Sequence, residues 1–289
     1  MDISILYRGS LKSCNFNCPY CPFAGKKMNR QCLEKDQAGL ARFIDFVADS
    51  RHHFHILFTP YGEAMVHGHY REAMVTLSRL TQVKKVAVQT NASFSLTADH
   101  WLDRLNPDTA AFWLSWHPEQ MSRSRFEKQY QALLNKKIAF SCGVVELKEY
   151  FHDISQLRKK LPRSVYLWIN AYKRTPDYYS KQDIEQLIRI DPYFENNLFY
   201  YPSKGRFCRT GQNVFSVNET GQIRRCHFVN QILGNISSID FGQISRATAC
   251  PNETCHCHIG YIYLRKLHQQ KLYGSGMLER IPEGFIYQQ

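Results

Sequence analysis

The fold is decided by two neighbouring stretches, Ile3-Ser4-Ile5-Leu6-Tyr7 and Ser13-Cys14-Asn15-Phe16-Asn17-Cys18-Pro19-Tyr20-Cys21. The first is a short apolar run that predicts a buried strand. The second places three cysteines, spaced C-x3-C-x2-C, in the loop that follows this strand. Only ten of the 289 residues are cysteine, so this spacing rarely arises by chance. We therefore expect a strand that leads directly into a ligand-bearing loop.

Short apolar runs alternate with amphipathic segments over the first two-thirds of the chain. Six predicted strands are separated by five predicted helices, and a sixth helix is expected at Lys181–Ile190. This alternation is typical of a parallel sheet covered by helices. Six units are fewer than the eight of a closed barrel, so the predicted class is α/β, a partial (β/α)6 TIM-like barrel. The strands are expected at residues 3–7, 55–58, 86–88, 111–114, 138–145 and 165–169, and the first five helices at 33–50, 69–80, 98–105, 125–135 and 154–161.

The pattern changes after about residue 195. Residues 213–217 alternate as a strand, Asn218 to Gly221 supply a turn, and the chain then returns toward Cys226. A helix-like segment follows at residues 263–272. We therefore expect two parts, the partial barrel at 1–195 and a small cysteine-rich β-hairpin module at 196–289.

Composition excludes several classes of protein. Hydrophobic residues make up 44% and charged residues 21%, which is an ordinary globular mixture and not that of a disordered chain. No stretch approaches the ~18 apolar residues of a membrane span, and the first residues lack the features of a secretory signal. We expect a cytoplasmic protein that does not contact a membrane. In that compartment ten cysteines favour metal or cluster ligation over disulfides.

The net charge of +12 raises the question of a nucleic-acid partner. The basic residues are scattered in small groups, several of them where helices are expected to end, and cations there favour the helix dipole. A solvated basic surface is therefore the favoured interpretation, although nucleic acid stays open as a partner.

The first cysteine group suits an iron–sulfur cluster. Three closely spaced thiolates can hold three corners of a cubic cluster, because soft sulfur ligands match iron. A structural zinc site would need a fourth cysteine or histidine nearby, and the next cysteine, Cys32, lies eleven residues beyond Cys21. One iron would then lack a protein ligand and be open to a cofactor or substrate.

The loop resembles the signature of the radical S-adenosylmethionine superfamily, in which an aromatic residue, here Tyr20, precedes the last cysteine. The resemblance covers most of residues 1–195. It implies that Cys14, Cys18 and Cys21 hold a [4Fe-4S] cluster whose open iron binds S-adenosylmethionine (AdoMet).

The same resemblance suggests further contacts to AdoMet at the ends of the strands. The segment Tyr61-Gly62-Glu63 is similar to the family's Gly-Gly-Glu, with tyrosine in place of the first glycine. Thr90 and Asn91 follow the third strand, but they also suit a turn. For His117 a packed loop histidine is the alternative, and the glycine before Val144 permits close approach of the adenine. The expected cofactor-binding residues are Tyr20, Tyr61, Gly62, Glu63, Thr90, Asn91, Ser115, His117 and Val144.

The second cysteine group is similar to the twitch or SPASM modules of the same superfamily, which carry an auxiliary cluster. Its spacing is C-x12-G-x4-C followed by C-x4-C-x-C, so five sulfurs are present where a four-iron cluster takes four. Zinc is the alternative, with His256 or His258 as a ligand. The expected metal ligands are Cys208, Cys226, Cys250, Cys255 and Cys257; the favoured four omit Cys250, and Cys32 and Cys142 are expected to be buried apolar residues.

Two functions follow as hypotheses. The resemblance implies an enzyme that reductively cleaves AdoMet to a 5′-deoxyadenosyl radical, which abstracts hydrogen from a small-molecule or peptide substrate. Such an enzyme needs a one-electron reductant such as flavodoxin or ferredoxin. The alternative is a non-enzymatic, zinc-bearing nucleic-acid-binding protein, which would use the basic surface and the Cys/His loops.

Overall fold

The computed structural model describes residues 1–288 and is built on one nine-stranded sheet. Six strands in the first part of the chain lie side by side in chain order, and every neighbouring pair is parallel. These strands are β1 (Asp2–Tyr7), β2 (His53–Phe58), β3 (Val83–Thr90), β4 (Ala110–Trp116), β5 (Ala139–Glu146) and β6 (Leu167–Ala171).

Helices connect these strands as the sequence predicts. The α/β class and the six strand–helix units are confirmed, and within residues 1–288 the sheet stays open between its two edges. The predicted bounds differ mostly by a few residues at each end, where caps and fraying decide. The helices are α1 (Arg30–Ala48), α2 (Gly68–Arg79), α3 (Trp101–Arg104), α4 (Arg123–Asn135), α5 (Phe151–Lys160) and α6 (Lys181–Ile188).

The C-terminal part extends the same sheet. The predicted hairpin is present as β8 (Val214–Val217) and β9 (Gln222–Cys226). Strand β8 pairs in parallel with β1, from Ser4 opposite Val214 to Tyr7 opposite Val217. The sheet therefore crosses the expected boundary near residue 195, and that boundary stays a prediction. The remaining elements are β7 (Tyr201–Pro202), β8 (Val214–Val217), β9 (Gln222–Cys226), β10 (Val229–Asn235), α7 (Phe241–Ile244), β11 (Thr254–Cys255), α8 (His258–Tyr261) and α9 (Gln269–Tyr273).

The helix-like segment expected at residues 263–272 is present as two shorter pieces. The chain there makes a 3-10 turn at Arg265–Leu267, and α9 begins only at Gln269. His268 between them adopts a left-handed conformation, which interrupts the helical hydrogen bonds.

The two faces of the sheet are covered differently. Alternate residues such as Phe112 and Leu114 of β4 pack in the core under the helices. Their neighbours Ala111 and Trp113 face the opposite side, where the segment after Cys257 packs against them. The C-terminal segment thus fills the face that the helices leave uncovered, and the loops after the strands remain for chemistry. None of the helices in residues 1–288 has the length and apolar character that a bilayer crossing requires.

Candidate functional site

The first cysteine loop joins β1 to α1 and is closed by its own backbone. The amide of Cys14 donates to the carbonyl of Lys26 (3.0 Å), and the amide of Gly25 donates to the carbonyl of Phe16 (3.1 Å). The residues that lead into it are held by Asp36 of α1, a wholly buried carboxylate that accepts from the amide of Leu11 (2.9 Å). These hydrogen bonds fix the position of the loop beside β1 and α1.

The predicted Tyr61-Gly62-Glu63 segment lies directly against this loop. The amide of Glu63 donates to the carbonyl of Ser13 (2.9 Å), one residue before Cys14. A Cβ added at Gly62 would lie 2.0 Å from that same carbonyl oxygen. Glycine is required here because the two backbones approach too closely for any side chain.

Glu63 holds three elements together. Its buried carboxylate accepts from the Thr90 hydroxyl (2.6 Å), the amide of Asn91 (2.6 Å) and the amide of Met65 (2.9 Å). Burial raises the pKa of Glu63, and these hydrogen bonds oppose that rise. The Asn91 side chain donates onward to Asn15 in the cysteine loop (3.1 Å). The expected residues Glu63, Thr90 and Asn91 are thus brought together as a scaffold for the loop.

His117 lies beside the cysteine loop, as expected for a site residue. Its Nδ1 is 2.7 Å from the Tyr20 hydroxyl and 3.4 Å from Cys18 Sγ. Burial lowers the pKa of His117 to about 4, so the imidazole is neutral at pH 7. Burial, together with the nearby Glu119 carboxylate, raises the pKa of the Cys18 thiol, so that a bound metal would have to displace its proton.

Ser115 and Val144 lie on neighbouring strands. Ser115 pairs with Gly143 in the register of β4 and β5 and is half-buried. Val144 is fully buried in the helix-side core, away from the face that Gly143 presents. The space beside Gly143, expected for the adenine, holds the indole of Trp168, 1.9 Å from the position of an added Cβ. Trp168 of β6 therefore accounts for the glycine at this position, and the contact to adenine stays a prediction.

All five C-terminal cysteines of the predicted set meet in one region. Burial and the nearby thiols of Cys226, Cys257, Cys208 and Cys250 raise the pKa of Cys255 to about 12. Burial raises the pKa of Cys226 to about 12, with Cys208 and Cys250 adding to it. The chain has therefore gathered thiols from the hairpin and from two later loops.

Cys257 faces three cationic side chains. Burial raises its pKa, whereas the cations of Arg8, Arg280 and Lys173 oppose that rise. Lys173 itself has a pKa lowered by burial to about 8. Cys257 therefore faces a cationic region.

One set of three potential metal ligands is compact in residues 1–288. Single ligand atoms of Cys18, His117 and Glu119 all lie within 4.8 Å of one another. This set includes one of the three predicted cluster ligands.

The two cysteines outside both groups, Cys142 and Cys32, differ in burial. Cys142 is buried in β5 as expected. Cys32 is exposed, so its predicted burial is wrong: it lies in the first turn of α1, on the side facing solvent.

Two residues that sequence reasoning missed carry charge into this region. Arg8 follows β1 directly, donates through Nε to the carbonyl of Thr59 (2.8 Å) and stacks over the Tyr61 ring at 4.7 Å. Arg280 is 1% exposed and lies over the Trp168 ring at 4.3 Å. A charged residue at a strand end could have flagged Arg8, whereas nothing local distinguishes Arg280.

Comparisons with solved structures identify the fold. A structure described as native anSMEcpe with bound AdoMet and Kp18Cys peptide has a TM-score of 0.55 and 16% identity, over 86% of this chain and 81% of that one. The form with Cp18Cys peptide gives 0.53 and 16%, over 84% and 80%. The AdoMet complex without peptide gives 0.53 and 17%, over 83% and 80%. No family model and no curated protein matches the sequence.

These neighbours are radical S-adenosylmethionine enzymes. The chain has their fold, which is the fold that the cysteine loop implied. At this level of identity the likeness concerns the fold alone.

Proposed function

We propose that the protein is a radical S-adenosylmethionine enzyme with a [4Fe-4S] cluster on Cys14, Cys18 and Cys21. The observation that carries the proposal is the position of the cysteine loop. It follows the first of six parallel strands and lies in backbone contact with the segment after the second, at Gly62. Solved structures with this fold hold AdoMet.

When bound, the cluster and AdoMet supply one-electron cleavage of a carbon–sulfur bond, giving methionine and a 5′-deoxyadenosyl radical that abstracts hydrogen from a substrate C–H bond. The residues of this chain bind and orient. Glu63 holds the ends of β2 and β3 and, through Asn91, the cysteine loop. Tyr20 and His117 cover Cys18 and exclude water from its sulfur. Ser115 and the backbone around Val144 remain expected contacts to the cofactor.

The C-terminal thiols fit a second [4Fe-4S] cluster in the same proposal. Cys208 and Cys226 are buried, and Cys255 lies close to all four of its partners. A flavodoxin or ferredoxin would supply the electron, and a peptide or small molecule would be the substrate. The solved structures with Cp18Cys and Kp18Cys peptides show that this fold can accept a peptide.

Anaerobic purification followed by iron and sulfide analysis tests the proposal. We expect about eight irons per chain and formation of 5′-deoxyadenosine when AdoMet and a reductant are added. Cys18→Ala should abolish 5′-deoxyadenosine, and Cys255→Ala should remove about half of the iron. Cys32→Ala is the matched control, because that thiol is exposed and outside both groups.

Zinc in place of iron, with no 5′-deoxyadenosine, would overturn the proposal and favour the zinc-bearing nucleic-acid-binding alternative. No finding supports that alternative.

A further inference from the structure

A cationic cavity lies at the ends of β1 and β8, between the two cysteine groups. It has a volume of about 260 Å³ and is lined by Arg8, Lys12, Tyr61, Arg224 and His227, with Glu219 as its one carboxylate. Three permanent positive charges thus face one negative charge. Such an imbalance in a confined space attracts anions.

These cations have no carboxylate partners. Within residues 1–288, none of Arg8, Lys12 and Arg224 forms an ion pair. Arg224 Nε is buried and makes no hydrogen bond. A buried donor without a partner is uncommon in folded proteins, and an anion would satisfy it.

The position of the cavity connects it to both cysteine groups. Lys12 is two residues before Cys14, and Arg224 is two residues before Cys226. Arg8 lies near both cysteine groups. Its guanidinium stacks on Tyr61 beside the first loop, and its charge also opposes the raised pKa of Cys257 in the second group. A molecule held here would lie between the two proposed clusters.

We propose that this cavity binds a carboxylate or phosphate group of the substrate, so that the substrate is anionic. The inference rests on the proposed function and names the substrate class for it. The cavity is smaller than the ~300–1,000 Å³ of pockets that enclose a drug-sized ligand, so it takes the charged end of a larger molecule.

Binding of inorganic phosphate and of acetate to the reconstituted protein tests the inference. Equilibrium dialysis with labelled probes should show one site, and whichever probe binds more tightly indicates phosphate or carboxylate. Arg224→Gln should weaken that binding tenfold or more, because charge-assisted hydrogen bonds are the strong ones. Arg224→Lys keeps the positive charge, so its affinity for the probe should fall less than that of Arg224→Gln. Lys12→Gln, at an exposed position, provides a second test if Arg224→Gln does not fold.

Arg246→Gln is the control, because that arginine is exposed and outside the cavity. If Arg224→Gln and Lys12→Gln bound each probe with the same affinity as the wild type, the inference would be overturned. Displacement of the probe by AdoMet would also overturn it, because the cavity would then serve the cofactor. Formation of 5′-deoxyadenosine by the wild type is measured separately, so a failure of the proposed function is distinguished from a failure of this site.

Discussion

Gly62→Ala should dislodge the first cysteine loop. The added Cβ would lie 2.0, 2.6 and 2.8 Å from the carbonyl oxygen, carbonyl carbon and amide nitrogen of Ser13. All three are backbone atoms, so no flexible side chain can move aside. The oxygen contact must lengthen by at least 1.0 Å to reach the 3.0 Å that real Cβ atoms respect. Overpacking of this kind costs about 1–3 kcal/mol.

The displacement falls one residue before Cys14, so we expect two effects. The melting temperature of the cluster-free protein, followed by circular dichroism, should fall by several degrees. Iron retained after anaerobic reconstitution should fall toward that of the C-terminal site alone.

Gly68→Ala is the matched control for this change. Its added Cβ would meet only Arg71 Nη2, at an ordinary 3.7 Å. If Gly62→Ala matched Gly68→Ala in melting temperature and in iron content, the close-approach argument would be refuted.

Three further predictions concern the strand ends. Glu63→Gln should lower the free energy of unfolding by about 1–3 kcal/mol, because the side-chain amide cannot accept from all three donors, Thr90 among them. Urea unfolding measures this free energy. An unchanged midpoint would contradict the scaffold role of Glu63. Burial raises the pKa of Glu146 from 4.5 to about 7, so the folded state holds a proton that the unfolded state releases, and stability should fall as pH rises from about 4.5 to 7. Glu146→Gln should flatten that slope in melting curves, and an identical slope would count against burial as its cause. Gly143→Ala should destabilise the protein and alter tryptophan fluorescence, since its Cβ would enter the indole of Trp168; unchanged emission would show that the ring moves freely aside.

The local patterns predicted the elements because each pattern is read over a few residues. Apolar runs and 3.6-residue periodicity located the six strands and helices, and the five parallel pairings among these strands follow from their alternation. The cysteine spacing located the ligand loop for the same reason, since ligands on one short loop are neighbours in sequence and in space.

Local sequence patterns do not predict contacts between segments that are distant along the chain. Glu63 is buried and accepts hydrogen bonds from Thr90 and Asn91, because the register of β2 and β3 aligns their ends. Trp168 of the next strand packs against Gly143. Neither partner is visible from the local sequence.

The sequence by itself determined the alternation of strands and helices and the three thiols that follow the first strand. Only the tertiary structure decided that the hairpin at Val214–Cys226 pairs with β1, and that Arg8 and Arg224 line one cavity near both cysteine groups. The reason is physical: periodicity and spacing act along the chain, whereas strand pairing and electrostatic proximity join residues more than two hundred positions apart.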